Sequence, residues 1–175
     1  MNETMNAILT RRSVRKYTDE MPKKEDLEQI IQAGLYAASG KGGQSSIIVA
    51  VTDKALRDRL MEMNRKVGGW AEGFDPFYGA PAVLLVLAKK NTPFTVADGS
   101  LSMGNMMLAA HALGLGRCWI NRAREEFETE EGREILRSLG VEGEYEGVGH
   151  CVVGYAADTL PQPAPRKDGR VFWAE

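Results

Sequence analysis

The apolar residues of this chain recur with two different spacings, and the spacings alternate along the sequence. Between Lys23 and Ser39, Leu27, Ile30, Ile31, Gly34 and Leu35 stand at i, i+3, i+4, i+7 and i+8, with acids in the first turn, which predicts an amphipathic helix. SIIVAVT (46–52) is short, β-branched and almost continuously apolar, the pattern of a buried strand. Asp53 then predicts the cap of a helix whose Leu56, Leu60 and Met63 share one face. AVLLVLA (82–88) predicts a second buried strand, and 96–113 a central helix, apolar around most of its circumference and stopped by GLG. GRCWI (116–120) and GHCVVGY (149–155) predict two further strands, with a short helix near 129–139 between them. Strands separated by helices, with elements at both ends that break a βαβ rhythm, predict a three-layer α/β (α+β) sandwich rather than a doubly wound sheet.

Composition narrows the picture. A chain of 175 residues with 43% hydrophobic and 26% charged residues suits one globular domain over 1–175. Residues 156–175 predict an extended tail: Pro161, Pro163 and Pro165 forbid a helix, while Val171, Phe172 and Trp173 are too apolar to stay in water, so the tail should pack on its own domain or on a partner subunit. A pI near 5.8 argues against general nucleic-acid binding. The sequence shows neither a signal-peptide pattern nor an apolar run near the roughly 20 residues of a membrane span, so a cytoplasmic protein is expected. Cys118 and Cys151 lie in apolar strands, which predicts buried free thiols.

Several candidate chemistries fall away. SGKGGQSS (39–46) lacks the strand-then-helix order and the terminal hydroxyl of a phosphate-binding P-loop, leaving a glycine-rich turn or a loop that approaches a flat ligand closely. His111 and His150 have no carboxylate or cysteine at metal-ligand spacing, so no metal is expected. No nucleophile elbow or zincin helix is present, which disfavours hydrolases. REEFETEEGRE (124–134) reads as a solvated helix start. Trp70, Phe74, Phe77 and Tyr78 sit in a loop, as a plug on the core or as a lid over a planar substrate.

TRRSVRKY (10–17) packs three arginines and a lysine into a mildly acidic chain. A solvated turn after a short helix would explain it; so would a phosphate site, because Arg11, Arg12 and Ser13 offer forked charged donors and a hydroxyl. Arg166 and Lys167 form a second basic pair in the tail, which suggests one anionic site closed from both ends of the chain.

Together, RRSVRKY, AASGKGGQSSIIVAV, FYGAPAVLLV, the run from Ala97 to Ile120, VVGYAA and PRKDGRVFW resemble the FMN-dependent nitroreductases across nearly the whole chain. The resemblance implies a central mixed, mainly antiparallel sheet flanked by helices, in an intertwined homodimer with FMN at the subunit interface. It implies Arg11, Arg12, Ser13 and Arg166 at the phosphate, Arg15 at the pyrimidine end of the ring, and Trp119, Ile120 and Asn121 against its face. In the turn where the family carries Asn, Pro and Trp, only Ser39 and Gln44 match, so the Gly42 and Gly43 amides are the expected substitutes. Ala164 replaces a basic residue, for which Lys167 is the expected stand-in. The implied reaction takes a hydride from NAD(P)H through flavin N5 to a nitroaromatic or quinone, with no catalytic side chain and with Trp70, Phe74, Phe77 and Tyr78 shaping the pocket. A flavin carrier, or an enone reductase or dehalogenase on the same fold, stands as the alternative.

Overall fold

A computed structural model describes residues 2–175. Four strands, β1 (Ser46–Val51), β2 (Ala82–Lys89), β3 (Gly116–Ile120) and β4 (Tyr145–Gly154), form one sheet in the order β1-β2-β4-β3. All three pairings are antiparallel, more uniform than the mixed sheet expected. β2 lies inside the sheet, between β1 and β4, with seven of its eight residues buried, which accounts for its unbroken apolar run.

Successive β2 side chains feed two cores. Leu84 and Val86 pack with Leu27 and Ile30 of α2 (Lys24–Leu35) and with Met103 and Met106 of α4 (Thr95–Ala112). Val83, Leu85 and Leu87 pack on the other face with Leu60 and Met63 of α3 (Lys54–Gly68), Phe127 of α5 (Ala123–Glu128) and Ile135 of α6 (Glu130–Ser138). The result is the three-layer arrangement that the two periodicities predict. Gly34 lets α2 approach α4 closely, since a Cβ there would stand 2.7 Å from Met106 Cγ.

The caps follow the sequence. Asp53 Oδ1 accepts from Leu56 N at 2.8 Å, and Thr129 Oγ1 accepts from Gly132 N at 3.1 Å. The acidic run 124–134 departs from its solvated reading, because Glu126 and Phe127 turn inward and are buried. Cys118 and Cys151 are buried and free. A first helix, α1 (Glu3–Thr10), leads into the arginine cluster. At the other end, Tyr17 bridges to Ala156 and Lys16 pairs with Asp158 at 3.1 Å; from Thr159 onward the tail is exposed. Among the described residues no helix is long and apolar enough to cross a membrane, and no group of three His, Cys, Asp or Glu side chains could hold a metal.

Candidate functional site

The arginine cluster sits where α1 ends and the chain runs along the outer edge of β3. Val14 N donates to Arg117 O at 2.9 Å, Thr18 N to Tyr155 O at 2.9 Å, and Tyr17 Oη to Val14 O at 3.0 Å. These bonds bury Val14 and Tyr17 and leave Ser13 half-buried and Arg15 exposed. A cavity of about 230 Å³ opens between residues 13–16 and the start of the tail, 158–161.

Arg11 and Arg12 are half-buried, and a third guanidinium joins them from beneath: Arg117, on β3, is only 1% exposed. Arg12 Nη1 donates to the Leu9 and Arg11 carbonyls, and Arg117 Nη1 to Leu115 O at 2.8 Å. Arg11 Nη1, Arg12 Nε and both Nε and Nη2 of Arg117 are buried without a partner. Among the described residues none of the three makes an ion pair with a carboxylate. Burial, reinforced by Arg11, brings the Arg117 pKa down to about 10. His111, on α4, has Nε2 2.7 Å from Thr10 Oγ1, and burial together with the charges of Arg117, Arg11 and Arg12 lowers its pKa. Buried polar groups are ordinarily paired, so four idle guanidinium nitrogens mark a candidate anion site.

The glycine turn is held from α4. Asp98, 3% exposed, accepts from Gly40 N at 2.8 Å and from the Ser45 hydroxyl at 2.7 Å. Ser39 Oγ accepts from Gln44 N at 3.0 Å, and both residues line a small pocket beside Asp98. The amides of Gly42 and Gly43 do not point outward as expected, because they donate to Ser39 O and Gly40 O, each at 3.0 Å.

At the end of β3 the strand alternation separates Trp119 from Ile120. Trp119 packs beside the α2/α4 core, while Ile120 is buried in the opposite core, so of these two only the Trp119 side chain is on the α2/α4 side and any contact of the segment with one ligand face involves its backbone. Trp119 lies over Gly149, where a Cβ would stand 2.2 Å from the indole Nε1. Asn121 is exposed; its carbonyl accepts from Asn64 Nδ2 at 2.7 Å, and Asn64 also donates to Glu126. Arg122 follows with φ 82°, its guanidinium 4.3 Å above the Trp70 ring.

The aromatic loop is ordered by one ion pair. Arg57, buried, pairs with Asp75 and donates from Nε to Ala80 O at 3.0 Å, while Asp75 accepts from the amides of Phe77 and Gly79. Phe77 is fully buried, 5.1 Å from the His150 ring; it is a core plug, which corrects its expected place in the pocket. Trp70, Phe74 and Tyr78 form the outer layer, with ring centroids 5.1 and 6.4 Å apart along the series. Arg166 and Lys167 are both exposed, and the Arg166 guanidinium folds back onto Ala164 O.

Sequence reasoning missed Arg117 and the Asn64–Glu126–His150 group. The signal for Arg117 was its place as second residue of a five-residue apolar strand, four of whose residues are buried. Glu126 was hidden in an acidic run whose other members do face water.

The comparisons with known proteins agree with this geometry. The sequence profile described as the nitroreductase family matches residues 8–155. A nitroreductase with bound FMN from Bacteroides fragilis superposes with a TM-score of 0.92, covering 100% of both chains at 29% identity. A nitroreductase with bound FMN from Desulfitobacterium hafniense gives 0.89 at 26% identity, again over 100% of both chains. The FMN reductase [NAD(P)H] of Bacillus subtilis is 28% identical over 194 aligned residues, covering 94% of this chain and 72% of its own. With the profile running from the end of α1 through β4, this chain belongs to the nitroreductase family.

Proposed function

We propose that the protein is an FMN-dependent oxidoreductase that takes a hydride from NAD(P)H and passes it to a planar acceptor such as a nitroaromatic or a quinone. The observation that carries this reading is the set of unpaired, buried guanidinium nitrogens on Arg11, Arg12 and Arg117. A flavin mononucleotide fits that chemistry: its terminal phosphate is a dianionic acceptor, and forked charged donors hold such a group tightly. The FMN-bound relatives support the assignment.

In this reading Arg11, Arg12 and Ser13 hold the phosphate, Arg15 sets positive charge at the pyrimidine end of the ring, and Trp119 and Asn121 bound the ring itself. Bound FMN supplies the hydride-accepting nitrogen, so the protein needs no side-chain acid, base or nucleophile. Its residues bind, orient and exclude water, and Trp70, Phe74 and Tyr78 wall the acceptor side. The tail completes the site as part of a homodimer. Val171, Phe172 and Trp173 are 71%, 89% and 83% exposed, a cost in water that a partner subunit would remove, and the same tail would carry Arg166 and Lys167 to the partner's phosphate site.

The test is spectroscopic. Purified protein should carry flavin absorbance, release FMN rather than FAD on denaturation, and bleach when mixed anaerobically with NADPH or NADH. A colourless protein that takes up no added FMN ends the proposal; bound flavin that neither nucleotide reduces leaves a flavin carrier instead.

A further inference from the structure

Among the described residues Arg117 is the largest fully buried side chain, yet none of them gives it a counter-ion. A buried arginine normally sits against a carboxylate, because an isolated charge in a low-dielectric interior is unfavourable. The charged or titratable groups that face it are Arg11 and Arg12 from the segment after α1, Tyr17 from the same segment, Cys151 from β4 and His111 from α4. Burial raises the pKa of both Tyr17 and Cys151, which keeps those two neutral. Three cations therefore gather with no anion of the protein's own.

The guanidinium is anchored by one hydrogen bond. Its Nη1 is tied to Leu115 O two residues back along the chain, and its backbone carbonyl accepts from Val14 N, which joins it to the loop that carries Arg11, Arg12 and Ser13. What stays unused is the pair Nε and Nη2, one edge of the guanidinium fork, the geometry that takes two oxygens of one phosphate or carboxylate. The idle nitrogens of Arg11 and Arg12 sit on the loop that the Val14 backbone bond anchors, and both charges act on Arg117.

We propose that Arg117 is a specificity-determining residue of the cofactor site: a buried cation, supplied from β3, that recognises the terminal phosphate of FMN together with Arg11 and Arg12 and so makes the site discriminate FMN from riboflavin. This rests on the FMN reading given above. The half-buried Arg11 and Arg12 alone would give a partly salt-screened attraction for any anion. A desolvated guanidinium beneath them adds charged bonds that solvent does not weaken, so losing the phosphate should leave buried donors without an acceptor, which is how sites reject an analogue lacking one group.

The experiment is a flavin-fluorescence titration of the apoprotein with FMN and with riboflavin, for wild type, Arg117→Gln and Arg117→Lys. Wild type should prefer FMN. Arg117→Gln should weaken FMN binding by about ten- to a hundredfold, the range of a charged hydrogen bond, with riboflavin binding changed little, so that the preference collapses. Arg117→Lys, which keeps the charge and loses the fork, should retain part of it and guards against a glutamine variant that does not fold. A folded variant of either kind that keeps the wild-type ratio of FMN to riboflavin affinity overturns the role given to Arg117 and makes it a structural cation. Wild type that binds the two flavins equally, or neither, instead overturns the FMN reading itself.

Discussion

Glu126 Oε2 lies 3.1 Å from His150 Nε2, and neither side chain has any exposed surface. The two come from α5 and β4, and Asn64 of α3 joins them by donating both to Glu126 and to the carbonyl of Asn121. A polar group in the core thus fixes the residue at which β3 stops, next to the candidate ring-binding surface. The geometry predicts that Glu126→Ala destabilises the protein by about 3–5 kcal/mol, because it leaves the buried histidine without its carboxylate and takes from Asn64 one of its two acceptors. Replacing Glu126 by Leu and His150 by Phe together should recover most of that. Urea unfolding measures both; a loss below about 1 kcal/mol for the single variant would show that the group is dispensable.

Arg11 offers a buried, unpaired Nη1 at the mouth of the cluster. Arg11→Ala should weaken FMN binding by about 1.5–3 kcal/mol without lowering the melting temperature of the apoprotein. Equal affinity in calorimetric titrations of the two proteins would return Arg11 to the role of a solvated turn residue.

His111 has a lowered pKa, first through burial and then through Arg117, Arg11 and Arg12. A histidine that binds its proton less readily when folded than when unfolded lowers stability once the unfolded chain takes up protons, below an unfolded value of about 6.5. Apoprotein stability should therefore fall as pH drops through that region, and the fall should be smaller in His111→Gln. Melting temperatures of the two apoproteins, compared at about pH 8 and about pH 5.5, isolate the effect from carboxylate titration. Parallel curves would remove His111 from the account.

Burial pushes the Cys151 thiol up to about 12 and raises that of Cys118. Thiolate is the reactive form, so neither cysteine should react with a disulfide reagent in the native protein at mildly alkaline pH, while both should react after denaturation. Rapid labelling of the native protein would mean that β3 and β4 open locally.

The tail predicts association. Deleting residues 159–175 should shift the protein from dimer to monomer in sedimentation velocity and lower its FMN affinity, since Arg166 and Lys167 leave with it. A truncated chain that stays dimeric and binds FMN as before would assign the tail no part in either.

The layers and most strand and helix positions were legible because periodicity reports which face is buried, and β2, β3 and α4 follow it closely; β1 lies where it was expected but at the sheet edge, with Val51 its one buried residue, which corrects its reading as a buried strand. Trp119 and Ile120 are adjacent in one motif, and the pleat sends their side chains to opposite faces, a separation that the motif alone does not express. Phe77 looked like its aromatic neighbours in the loop, and only the Arg57–Asp75 pair, 18 residues apart in sequence, turns it inward. For Arg117 the apolar strand around it signalled burial, but no charge pattern pointed to a role, because among the described residues no carboxylate pairs with it.

Asp98 gives the glycine turn a meaning that its composition hides. A segment with three glycines in four positions would be expected to sample many shapes, yet one buried carboxylate on α4 clasps it at Gly40 and at Ser45, on either side of the bend. The ordering entropy of this wall of the proposed site is thereby incurred when the protein folds rather than when a ligand arrives. Affinity at that wall should then vary little with temperature-driven loosening of the loop, and loss of the carboxylate should appear first in the rate at which ligand escapes.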